Sequence, residues 1–116
     1  MINSNTFETR PWGSYTVLLD LPHTKVKTIT IKPGHAPSYQ FHYKRSEHWI
    51  VVKGIGVLTL DGVDRVLGPG DSIYIPKKAK HQFKNNGTED LEFIEVQTGE
   101  YFGEDDIVRI KDNYGR

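Results

Sequence analysis

Apolar and polar residues alternate along this chain in short runs, and the runs stop at glycine, proline, asparagine or aspartate. In "KVKTITIK" (25–32), Lys27, Ile29 and Ile31 share one side, the period of two that a strand requires. The same pattern predicts strands at "SYTVLL" (14–19), "SYQFHY" (38–43), "EHWIVVKG" (47–54), "GVLTL" (56–60), "VDRVL" (63–67), "SIYI" (72–75), "HQFKN" (81–85) and "LEFIEVQ" (91–97). Turn signals separate them: "PG" at 33–34, "DG" at 61–62, "GPGD" at 68–71 and "NNGTED" at 85–90. The "NGT" inside the last of these reads as a turn rather than a glycosylation acceptor. Helical periodicity is almost absent; "EDDIV" (104–108) alone suggests one helical turn. Many short strands with regular turns predict one all-β domain over residues 1–116, a sandwich or barrel.

Burial can be read from the same pattern. In "LEFIEVQ", Leu91, Phe93, Glu95 and Gln97 share one face, while Ile94 and Val96 lie with Glu92 on the other. Apolar residues on both faces predict that both are covered, one by the barrel interior and one by another sheet or a second copy of the chain. The expectation is a homodimer. Glu95 and Gln97 end the inward face, where polar groups call for a ligand or water. Lys27 lies inward with Ile29 and Ile31, and a lysine in such a place needs an anion.

Charge narrows the range of partners. Lysine plus arginine equal aspartate plus glutamate, 15 against 15, so no global field favours nucleic acid or an anionic membrane. The longest apolar run, around "WIVV" (49–52), falls far short of a membrane span, and "MINSNTFETRPWG" lacks an apolar signal core. The expected location is the cytoplasm. There is no cysteine, so any metal must take nitrogen and oxygen ligands.

One stretch carries more chemistry than a strand needs: "QFHYKRSEHW" (40–49). Gln40 and His42 are two apart and point the same way. Glu47 opens the next strand, and His81 opens a later one. If these strands lie side by side, two imidazoles, an amide oxygen and a carboxylate converge, a donor set suited to Zn, Mn, Fe, Co or Ni. His48, next to Glu47, points away from it by parity. Lys77, Lys78 and Lys80 read as a solvated charge run, and His23 and His35 as ordinary surface residues.

The spacing forms two blocks. Gly34 is followed after five residues by Gln40, after one more by His42, after four by Glu47 and after six by Gly54. Gly70 is followed after five residues by Pro76, after four by His81 and after three by Asn85. This resembles the double motif of the cupins, which usually has histidine where Gln40 stands and glycine where Lys78 stands. Further, "RPWGSY", "VKTITIKPG", "QFHYKRSEHWIVVKG", "YIPKKAKH" and "IEVQTGEYFGEDDIVR" resemble the type II mannose-6-phosphate isomerase domain, with Tyr43 and Lys44 departing from its histidine-rich stretch.

The resemblance implies a cupin jelly roll, the double-stranded β-helix. It also implies a divalent metal, zinc favoured, held by Gln40, His42, Glu47 and His81. The implied reaction interconverts mannose 6-phosphate and fructose 6-phosphate. Glu95 by parity and His48 by resemblance are the two candidates for the base. Arg45, Lys27 and Arg109 are the candidate phosphate donors, with Gln97 beside the substrate. The alternative is a non-catalytic module that binds a sugar phosphate or nucleotide sugar and partners a separate guanylyltransferase.

Overall fold

The computed structural model describes residues 6–112. The alternating runs become strands: β1 (Thr6–Arg10), β2 (Gly13–Leu21), β3 (Thr24–Ile31), β4 (Tyr39–Phe41), β5 (Arg45–Lys53), β6 (Gly56–Leu60), β7 (Val63–Leu67), β8 (Ser72–Ile75), β9 (His81–Lys84), β10 (Leu91–Gly99) and β11 (Val108–Lys111). They form two sheets, ordered β1-β2-β3-β10-β5-β8 and β11-β4-β9-β6-β7. Every pairing is antiparallel. Among the described residues, no helix is long and apolar enough to cross a membrane.

The inward faces meet as the alternation predicts. Ile29 and Ile31 of β3, Trp49 and Val51 of β5, and Leu91 and Phe93 of β10 pack against Leu58 and Phe83 of the other sheet. Trp49 is the hub: its ring centroid lies 4.8 Å from that of Phe93 and 5.6 Å from that of Phe83. The apolar core fills one part of the space between the sheets, and polar residues line the rest.

Motif positions that bear no ligand have backbone duties. Gly54 takes φ +81°, and a Cβ there would sit 2.5 Å from the carbonyl oxygen of Asp90, so only glycine fits. Asn85 is buried and pins three segments: its Nδ2 donates to Ile31 O and Glu89 O, and its Oδ1 accepts from Gly87 N–H. Lys78, where the cupin pattern has glycine, stands in the left-handed region at φ +70°.

Three expectations need correction. The polar segments Thr6–Arg10 and Val108–Lys111 are strands, held by pairing with β2 and β4 rather than by any alternation of their own. Residues 104–108 make no helical turn. There the carboxylate of Asp106 instead accepts the backbone N–H groups of Tyr43 and Lys44. β4 is only three residues long, so His42 lies beyond its end. Within one chain the inward face of β10 is buried; on its other face Ile94 and Val96 are half-buried, and Ile50 and Val52 of neighbouring β5 are exposed.

Candidate metal and substrate site

His81 opens β9 and is paired in register with Gln40 of β4, which brings two distant parts of the chain together. The imidazole of His81 is buried; its Nδ1 donates to Ala79 O at 2.9 Å, and among the described residues its Nε2 has no hydrogen-bond partner. That bond fixes the tautomer and leaves a bare lone pair on Nε2, the arrangement typical of a metal-ligating histidine. His42, Glu47 and His81 offer donor atoms that lie within 4.8 Å of one another, all buried. This His/Glu/His cluster could hold a metal. Gln40, half-buried beside it, accepts a hydrogen bond from Ser38 Oγ.

Arg45 shares that cluster. Its Nε donates to Glu47 Oε2 at 2.8 Å and its Nη2 to His42 Nε2 at 2.9 Å. Trp49 Nε1 satisfies the other Glu47 oxygen at 2.9 Å. The three buried donors of His42, Glu47 and His81 are of the right chemistry for a divalent cation, and the orphaned His81 Nε2 is the atom among them that calls for one. A cation reaching His42 Nε2 would replace the guanidinium N–H there.

A cavity of about 90 Å³ lies against the cluster. Gln40 and His81 line it, with Arg45, Lys27, Glu95, Glu104 and Arg109. His42 and Glu47 lie behind Arg45, outside this lining. Lys27 is buried, with its Nζ 4.3 Å from the Tyr15 ring centroid and 3.6 Å from Glu104 Oε2. Arg45 Nη1 lies 3.6 Å from the same Glu104 oxygen.

The protonation pattern follows from burial and charge. Burial alone would raise Glu47, but Arg45, His81 and His42 outweigh it and hold the carboxyl down to about 2. Glu95 goes the other way: burial first, then the Glu47 charge, push it up to about 7 despite Arg45 and Lys27. Burial lowers His42 to about 4 and lowers His81 as well, so both imidazoles are neutral, the state in which an imidazole can ligate a cation. Burial would raise Glu104 too, yet Lys27 and Arg45 keep it low.

Two sequence candidates fall elsewhere. His48 is exposed on the outer face, its ring 4.6 Å from that of Tyr74, because Glu47 and Trp49 take the inward side of β5. It is therefore not a base for this cavity. Gln97 is inward but fully buried and off the cavity lining; its Nε2 donates to Glu95 Oε2, so it positions that carboxyl rather than meeting a ligand. Arg109 lines the cavity as an exposed residue of β11. It pairs with neither Asp105, which binds the Tyr101 hydroxyl, nor Asp106. Sequence reasoning missed Glu104, and it did not count Arg10 among the site residues. Arg10 lines the cavity and donates to the Tyr15 hydroxyl at 3.1 Å.

Two antiparallel sheets packed face to face, with a polar cavity between them and His81 at its wall, define the cupin class, the double-stranded β-helix. A Klebsiella pneumoniae protein with a double-stranded β-helix domain superposes with TM-score 0.72 at 21% identity, over 81% of this chain and 80% of that one. The capsular polysaccharide assembling protein CapF of Staphylococcus aureus gives TM-score 0.83, also at 21% identity, over 94% of this chain and 33% of CapF. These likenesses concern the fold alone.

Residues 2–112 match the family described as mannose-6-phosphate isomerase C-terminal, and the chain belongs to that family. The mannose-1-phosphate guanylyltransferase of Klebsiella pneumoniae is 47% identical over 107 residues, 92% of this chain and 23% of that protein. The chain thus spans under a quarter of the length of this curated relative.

Proposed function

We propose that this chain is a metal-dependent aldose–ketose isomerase that interconverts mannose 6-phosphate and fructose 6-phosphate in the cytoplasm. The observation that carries the reading is Glu95: a buried carboxyl raised to about 7 lines the same cavity as the unpartnered His81 Nε2 and two buried cations. A base must take a proton from one carbon of the sugar and return it to the next, and a group that titrates near neutrality does both. Gln97 holds one Glu95 oxygen and leaves the carboxyl aimed by a fixed contact. Lys27 and Arg45, with Arg109 at the mouth, are the donors for the phosphate. His42, Glu47 and His81, with Gln40, would hold a divalent cation, zinc favoured. When bound, it would supply positive charge for the sugar oxygen that becomes negative as the proton leaves.

The test is turnover in heavy water. Zinc-loaded protein given mannose 6-phosphate should form fructose 6-phosphate with deuterium at carbon 1, and a chelator should stop it. Conversion without solvent label would rule out Glu95 as an exchanging base. Absence of conversion in the loaded protein would favour a second reading, a sugar-phosphate-binding module beside a guanylyltransferase. The 47% identity to a mannose-1-phosphate guanylyltransferase supports that reading.

A further inference from the structure

Glu104 is an unusual wall residue. It stands on the loop between β10 and β11, its side chain half exposed, yet its Oε2 reaches two cations that are almost wholly buried. The distances, 3.6 Å to Lys27 Nζ and 3.6 Å to Arg45 Nη1, are those of ion pairs and too long for good hydrogen bonds. The loop that presents it is fastened at both sides. Tyr101 donates to Asp105, Asp106 N–H donates to Gly103 O at 3.1 Å, and the Asp106 carboxylate takes the Tyr43 and Lys44 amides.

The charges explain why an anion stands there. Lys27 faces Glu95 across the β3–β10 pairing, and Glu95 keeps its proton up to about pH 7. Arg45 already satisfies Glu47. One positive charge is therefore left over inside the wall, and a buried cation without a counter-charge is costly. The Glu104 carboxylate supplies that counter-charge from solvent's edge, with loose geometry and no hydrogen bond that its departure would leave unmade.

We propose that Glu104 is an internal stand-in for the anionic group of the ligand: it occupies the Lys27–Arg45 pair in the free protein and is displaced when a phosphate takes that place. This rests on the assignment of those two cations to phosphate and adds a competitor to it. A phosphate offers three oxygens that both cations can meet at once, whereas Glu104 offers one. Affinity for the anion is set by the difference, so the closed loop lowers it by the fraction of time the pair is free. It also rejects uncharged sugars, which cannot replace the lost ion pairs.

The experiment uses inorganic phosphate as the probe and binding, not turnover, as the readout. Titration calorimetry on Glu104→Gln, which keeps the side chain's size and removes its charge, should show phosphate binding about tenfold tighter than in the parent, as for a pair free about a tenth of the time. Lys27→Met in the same background should abolish the gain. Hydrogen exchange on the parent chain needs no variant: saturating phosphate should speed exchange in residues 102–107. Equal phosphate affinity in parent and Glu104→Gln, or slower exchange of the loop with phosphate, would overturn the proposal. If Glu104→Gln binds phosphate more tightly while the zinc-loaded parent turns over no mannose 6-phosphate, the isomerase reading fails and this one stands.

Discussion

Replacing Glu95 by glutamine should make the protein more stable, and increasingly so as the pH rises. The carboxyl is raised from an ordinary value of 4.5 to about 7 in the folded chain. Below pH 4.5 it is protonated both folded and unfolded and contributes no slope. Between pH 4.5 and 7 the unfolded chain has lost that proton and the folded chain keeps it, so stability falls as pH rises. The shift corresponds to roughly 3 kcal/mol lost across that window. Glutamine cannot ionise and its oxygen can still accept from Gln97, so the variant escapes the loss. His42 and His81, lowered by burial, slope the other way in both proteins and cancel in the difference. Urea melts of parent and Glu95→Gln in chelator, from pH 4.5 to 8, should show the stability gap widening toward that value and levelling off above about pH 7.5. A gap that is constant with pH would mean that Glu95 titrates normally, and the argument for it as a base near neutrality would go with it.

Other outcomes can be checked independently. His42→Ala and His81→Ala should each lose bound zinc on dialysis, read by elemental analysis, while His23→Ala keeps it. Lys78→Gly should raise stability by about 0.5–1 kcal/mol, because the exposed lysine holds a left-handed φ that glycine adopts freely; a lower melting temperature would refute this. Light scattering at micromolar concentration should give the mass of two chains, and Ile50→Asp, on the exposed apolar face of the larger sheet, should give one.

Parity carried the sequence reading furthest. It put Lys27 and Glu95 inward and His48 outward, and all three lie so in the fold, since side-chain direction along a strand is a local property. Depth is not local: Gln97 has the same parity as Glu95, yet it stands one step beyond the cavity. The edge strand Val108–Lys111 was illegible because all four of its residues are exposed and only its partner β4 defines it. Glu104 gave no signal at all, since loops carry no period. Its place depends on Asp106 finding two amides some 60 residues earlier in the chain.

The β3–β10 pairing, which sets Lys27 against Glu95, has a bearing on the order of events during folding. It joins the early part of the chain to the late part, as do the pairings of β4 with β9 and with β11. Contacts of such high sequence separation pay loop-closure entropy before any burial rewards them, which makes folding of this topology slow. A ribosome-bound chain that has emerged only as far as Lys53 carries Gln40, His42 and Glu47 but neither His81 nor the strand that faces them. Tight capture of a metal ion by the proposed site would thereby be deferred until β9 and β10 have been made, and a truncated chain would be spared a stray charge at its centre.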